Sequence, residues 1–291
     1  MIKETGDTAM EEIIFRIIGK HYKVSERVED TTNNDNFVLH DHELYEILFF
    51  SEGDAKFVIE GKEYFLESGD MIIVRKHEMH RVYHNSDARY QRIVLFVEPE
   101  FFNIHNCPNY EAQFLNSQLG IANRIKSDYV RSCGLYDAFK RLRRYSKNYT
   151  PEDKAVVEAI IIEILYLINR VGRFSSPDEH DSQVVQVISY INNHYTEDID
   201  LETLEKKFYT SRYHLCKIFR KATGLTIHDY IRRKRLTRVR ELRQAGKNIT
   251  DAAMLSGFSD YSSFYRTYKK MMGCSPKGNI DNLYIDTQKT L

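Results

Sequence analysis

The C-terminal third of the chain carries two helix-turn-helix patterns in tandem, Leu201–Gly224 and Ile249–Gly273, bridged by a very basic stretch with helical spacing from about Ile227 to Gln244. No other feature constrains the fold as strongly. Two short helix pairs on one connector must pack as an all-α domain, and units of this shape place a helix in the major groove of DNA. The expectation is a sequence-specific reader of double-stranded DNA.

In the first unit Leu201, Leu204 and Phe208 line one helix, and Ser211 is placed to cap the next, whose core face is Leu215, Ile218 and Phe219. The opposite face of that second helix carries Arg212, Tyr213, Cys216, Lys217 and Arg220. In the second unit Ile249, Ala252, Ala253 and Leu255 pack, Gly257 makes the turn, and Ser259 or Asp260 caps a helix that points Tyr261, Ser262, Ser263, Arg266 and Lys270 outward. Arg266 is the best candidate for a bidentate contact to guanine, worth about 1–3 kcal/mol of discrimination. Between the units, residues 231–243 hold seven cations and one acid. Spaced around a helix, these cannot all face one phosphate strand, so some must pair with acids or stay solvated.

Net charge supports the division only once the chain is split. The 42 basic and 42 acidic residues balance overall, yet residues 184–291 hold 19 and 11, a net of +8, leaving 23 and 31, a net of −8, in residues 1–183. A positive module joined to a negative one is the pattern of a DNA binder with a separate regulatory domain. The four cysteines, Cys107, Cys133, Cys216 and Cys274, form no C-x-x-C pair and read as reduced structural thiols of a cytoplasmic protein. Met1–Glu12 lacks the apolar run of a signal peptide, and the apolar stretch Ala159–Ile168 is short and interrupted by Glu163, so no membrane span is expected.

Residues 37–98 read as short strands, Tyr45–Phe50, Ala55–Ile59, Lys62–Leu66, Met71–Val74 and Gln91–Val97, with a hairpin at Glu60–Gly61. Such spacing predicts a small barrel or sandwich. Helical spacing follows over 110–120 and 135–148, and Pro151 opens a helix to about Val171 whose wide apolar surface either docks on the strands or forms a dimer interface. The polar, proline-containing stretch 172–183 reads as a linker. The fold expected is therefore α+β: a β-barrel domain over 1–98, a helical dimerisation or scaffold layer over 99–171, the linker, and the tandem helix-turn-helix domain over 184–291.

The segments TSRYHLCKIFRKATG and GFSDYSSFYRTYKKMMGCSP, with the basic helix between them, resemble the DNA-binding domain of the AraC/XylS family of bacterial transcription regulators over roughly 184–280. The resemblance implies base reading by Tyr213, Cys216 and Lys217 in the first unit and by Ser262 and Arg266 in the second, with Arg212 and Tyr261 beside them. The chain departs from the pattern at Glu205 and Lys207, where small apolar residues are usual, at Tyr209 in place of the turn glycine, at Thr210, and at Asn279. These departures fall mostly in the first unit, so the second is expected to contribute more to specificity.

The sensing half contains His40-x-His42-x3-Glu46-x6-Gly53, then Gly69 and, eleven residues later, His80. That spacing resembles the two cupin motifs, whose three histidines and one glutamate converge inside a small barrel. His40, His42, Glu46 and His80 are thus the effector-site candidates, with Tyr45, Tyr64, Arg81, Tyr83 and Arg92 as further ones. The resemblance implies a small hydroxylated effector, with sugar the leading class, and leaves open a divalent metal on the same four residues. No cofactor is otherwise expected. The whole predicts a non-enzymatic, ligand-responsive regulator of carbohydrate-utilisation genes, working as a homodimer. The alternative is a metal-dependent cupin enzyme with an accessory nucleic-acid-binding tail.

Overall fold

The structure is a computed structural model that describes residues 11–29, 39–115, 119–145, 149–170 and 183–276. It divides into two compact units, one running to Glu179 except for the strip Val38–His42, the other made of that strip and His180 onward.

In the first unit one sheet has the order β1 (Glu11–Ile18), β2 (Tyr22–Glu29), β8 (Tyr90–Val97), β3 (Tyr45–Glu52), β6 (Met71–Val74), β9 (Arg124–Ile125). A second has the order β5 (Lys62–Phe65), β4 (Ala55–Ile59), β7 (His80–His84). All neighbours are antiparallel. The hairpin expected at Glu60–Gly61 joins β4 to β5, with Ile59 opposite Lys62 and both turn residues at positive φ, 48° and 77°. That is the geometry that matches a two-residue turn to strand twist. Among the described residues no strand pairs across the two sheets, so the expected closed barrel is an open two-sheet structure. Closure needs an unbroken hydrogen-bonded ring of tilted strands, whereas the six-stranded sheet ends on a two-residue edge strand, β9.

Strand alternation assigns the faces of the large sheet. Phe15, Ile17, Tyr22, Val24, Tyr45, Ile47, Phe49, Met71, Ile73, Ile93, Leu95 and Val97 pack into one core with the helices α1 (Pro99–Ile104), α2 (Ser127–Ser132), α3 (Leu135–Arg144) and α4 (Asp153–Arg170). The other face, through Leu48, Phe50, Ile72, Val74, Tyr90 and Val94, packs on Ala55, Phe57, Ile59, Tyr64 and Val82 of the small sheet. The apolar surface of α4 enters the core shared by the sheet and the other helices through Val157, Ile160, Ile161, Ile164, Leu165 and Ile168, while Val156 stays exposed. Where helical spacing suggested a helix over 110–120, a 3-10 turn forms at Pro108–Gln113. A buried carboxylate, Glu78, pins the chain around Gly120–Asn123 to the sheet by accepting from the backbone N–H groups of Gly120 and Arg75, the Asn123 amide and the Arg75 guanidinium, all within 3.0 Å.

The second unit holds α5 (Gln183–His194), α6 (Leu201–Phe208), α7 (Arg212–Thr223), α8 (Ile227–Gln244), α9 (Ile249–Leu255) and α10 (Tyr261–Met272). Five of these helices start where the sequence supplies a cap. Asp200, Ser211, Thr226, Asn248 and Asp260 each accept a backbone N–H from the residue three positions on. Gly224 and Gly273 end α7 and α10 in the left-handed region, but α6 ends on Tyr209 at φ 51°. Several cations of α8 turn inward or pair locally. Arg235 donates to the carbonyls of Tyr195 and Glu197, Arg238 pairs with Glu241, and Arg232 pairs with Asp229. In the strip before β3, Asp41 accepts from the Thr237 hydroxyl of α8 at 3.1 Å. The linker expected at 172–183 lies, but for Gln183, outside the described residues.

Candidate effector site and nucleic-acid interface

The face of the large sheet that meets the small sheet is polar at both ends and apolar in the middle. Glu46 stands two residues before Leu48 on β3, and His80 two before Val82 on β7, so both point inward. They meet: His80 Nε2 lies 3.3 Å from Glu46 Oε2, both side chains are buried, and the imidazole stacks on Phe57 with centroids 5.9 Å apart. The other ring nitrogen, Nδ1, is 2.8 Å from the Glu78 carbonyl oxygen. Burial alone would favour the neutral ring, but the hydrogen bond and charge of Glu46, then the Glu78 contacts, outweigh it and hold the imidazolium above the ordinary histidine range.

Of the opposite end, Arg92 alone is among the residues that the sequence singles out. Cross-strand register puts Glu29, Arg27 and Ser25 of β2 opposite Tyr90, Arg92 and Val94 of β8, hence on the same inner face. All are buried. Arg92 pairs with Glu29 at 2.6 Å and lies 4.7 Å from the Tyr90 ring centroid, and the His84 ring packs on the same tyrosine with centroids 4.6 Å apart. The Tyr90 hydroxyl is buried without a hydrogen-bond partner among the described residues. Burial, partly offset by Arg92, raises its pKa so that it remains a donor at neutral pH. The signal that was present is the alternation Lys23, Ser25, Arg27, Glu29, which reads as a solvated face but is here turned into the protein.

Of the other candidates, His40 and His42 lie in the strip grouped with the helical unit, their ring centroids 6.1 Å apart. Strand β3 starts only at Tyr45, so strand alternation does not carry from His42 to Glu46. Tyr45 points to the helical side and donates to Glu111 at 2.7 Å; Tyr64 donates to the Gly120 carbonyl at 2.8 Å. Arg81 and Tyr83 alternate with His80 and Val82 and stack on each other on the opposite face of β7, whereas Arg92 is inward. A metal fits the Glu46–His80 pair in one respect: an imidazole held at Nδ1 by a carbonyl presents Nε2 as the ligating atom.

In the helical unit α7 and α10 expose the expected readers. Tyr213 is 80% exposed, Lys217, Tyr261, Ser262 and Arg266 are exposed, and Cys216 is half-buried. Their N-termini are fixed by Ser211, which accepts from His214, and by Asp260, which accepts from Ser263 at 2.7 Å. Arg212 differs from the rest, because its guanidinium is held by Glu205 of α6 at 2.8 Å. Exposed His214, Arg220 and Lys221 of α7 extend the same polar surface. Among the described residues no helix is long and apolar enough to cross a membrane.

Comparison with known proteins places both halves. Residues 22–165 match the family profile described as AraC-like ligand binding domain, and residues 204–278 match one described as helix-turn-helix domain. The transcriptional activator RhaS of Yersinia pestis is 24% identical over 252 residues, 86% of this chain and 91% of that one. Among solved structures, ToxT of Vibrio cholerae is similar at 15% identity and TM-score 0.37, covering 92% of this chain and all of that one. A Listeria innocua protein of unknown function is 35% identical over 33% of this chain and 93% of its own, with TM-score 0.31.

Proposed function

The chain belongs to the AraC family of transcription regulators, and from that premise we propose that it is a cytoplasmic activator of carbohydrate-utilisation genes, switched by a small hydroxylated effector bound inside the sensor. The observation that carries the effector class is the buried polar lining between the sheets, above all the Tyr90 hydroxyl, which has no hydrogen-bond partner among the described residues. A polyol offers both donors and acceptors to such a wall, and an orphaned buried hydroxyl costs about 1–3 kcal/mol until a partner arrives. Glu46 and His80 supply an acceptor and a donor at the other end, and His40 and His42 stay in the proposal as effector-binding residues.

Each residue of the reader has a role in the same proposal. Tyr213, Cys216 and Lys217 of α7 and Ser262 and Arg266 of α10 face base edges, with Tyr261 and Arg212 at the helix starts. The protein acts as a homodimer, a role for which the exposed side of α4 at Val156 and Tyr166 is suited. An effector switches the protein only by preferring one arrangement of its modules, so its binding must change dimer or DNA affinity.

The test is a thermal-melt screen of the full chain against neutral sugars, sugar acids and other metabolites, each with and without chelator. A ligand at about 100 times its Kd adds roughly 2.7 kcal/mol. A chelator-resistant rise with one sugar, lost in Tyr90→Phe, supports the reading; stabilisation by none of them sinks the sugar class. A divalent metal is the second reading, favoured by the Nδ1 contact of His80. It predicts a fall in melting temperature with chelator alone. Turnover by such a metal site, the enzyme alternative, has no support in a family of regulators.

A further inference from the structure

The two helix-turn-helix units differ at one point that bears directly on DNA contact. In the first, Glu205 on α6 reaches across the turn to the start of α7: its Oε2 accepts from Arg212 Nε at 2.8 Å, and its Oε1 accepts from the Arg212 backbone N–H at 3.4 Å. In the second unit the residue at the same offset, seven before the first residue of the reading helix, is Met254, half-exposed and uncharged. The N-terminal N–H groups of a reading helix and an arginine beside them are what a DNA phosphate binds. In α7 a carboxylate of the same chain already occupies both.

We propose that Glu205 is a positioning residue that withholds Arg212 and the first N–H of α7 from the DNA backbone, weakening the first unit and leaving specificity to α10. The inference rests on the assignment of α7 as a DNA-reading helix. Glu205 and Arg212 are both partly exposed, so the pair itself is weak and exchangeable. A phosphate, placed against the same donors, competes for Arg212 only after displacing the carboxylate and meets its charge while doing so. With Glu205 in place Arg212 therefore contributes less to binding than it would without it.

The experiment measures binding of the full chain to a random-sequence DNA duplex by fluorescence anisotropy across a salt series. It uses wild type, Glu205→Gln, Glu205→Met, Arg212→Gln and the Glu205→Gln/Arg212→Gln double variant. Release of Arg212 should tighten binding roughly two- to fivefold, the range of an exposed ion pair. It should also steepen the slope of log K against log salt by about 0.9, the value for one added phosphate contact. Glu205→Met, which copies the second unit, should behave alike. Arg212→Gln alone should weaken binding less than the same substitution made on top of Glu205→Gln, and the double variant should lose the gain. Equal tightening by Glu205→Gln with and without Arg212 would overturn the proposal, because simple removal of a negative charge would then account for it. An unchanged affinity and slope in both Glu205 variants would overturn it as well. Absence of binding by every variant would remove the DNA-reading assignment itself, and the inference with it.

Discussion

Replacing Gly257 by alanine tests how tightly the second helix-turn-helix is seated. Gly257 has φ +92°, and a Cβ there would stand 2.5 Å from the Thr196 carbonyl oxygen, 2.7 Å from its Cα and 2.8 Å from its carbonyl carbon. All three are backbone atoms, so no side-chain rotation relieves the clash. The left-handed conformation alone costs an alanine about 1–2 kcal/mol, and overpacking adds typically about 1–3 kcal/mol. Together these give a destabilisation of roughly 2–5 kcal/mol. For a unit near a hundred residues each kcal/mol lowers Tm by about 4–8 °C, so the calorimetric transition of the helical unit should fall by roughly 10 °C or more. Gly246 supplies the control, because it has φ +83° with nothing within 4 Å of its Cβ position. Gly246→Ala isolates the conformational term and should cost only about 1–2 kcal/mol. If the two variants melt together, the close approach of Thr196 to the turn is not a feature of the protein and the reasoning fails.

Three further outcomes follow from the same geometry. Arg266→Ala should weaken binding to a defined operator by about 1–3 kcal/mol and relax one base position, whereas Lys217→Ala should cost less; the reverse order would refute the dominance of α10. His80, with its folded pKa raised by Glu46, contributes stability that is fully present below its ordinary value near pH ~6.5 and is lost as pH rises through the raised value. The difference in melting temperature between wild type and His80→Gln, measured with chelator present, should therefore be larger at about pH 6 than at higher pH, and growth with pH would contradict the assignment. Glu205→Gln should leave the melting temperature close to that of wild type while steepening the salt dependence of DNA binding, and a collapse of stability would make Glu205 a structural residue instead.

Legibility from sequence tracked how local the governing physics is. The helical unit was largely legible, because caps such as Ser211 and Asp260 and the glycine at 257 act over three or four residues and leave their signature in order, although Leu255, expected to pack, is 55% exposed. Strands β3 to β6 and β8 were legible for a similar reason, each bounded by a turn. Strand β2 was not, although its alternation is regular. Tyr22, Val24 and Val28 are buried, but Ser25, Arg27 and Glu29 are buried as well, since the opposite face of the sheet meets a second sheet rather than water. Alternation identifies two faces and says nothing of what covers the polar one. That choice is made by β8, far along the chain, whose Tyr90 and Arg92 lie opposite Glu29 and Arg27. Sequence points to Glu46 and His80 because a spacing motif marks them, and at the Tyr90 end it names only Arg92, because only register brings the remaining residues together. A polar strand buried on both faces has a physical cost of desolvation, repaid here in part by pairs such as Arg92 with Glu29. Among the described residues the Tyr90 hydroxyl finds no hydrogen-bond partner, and this is why the effector is sought at that end of the sensor as well as beside Glu46.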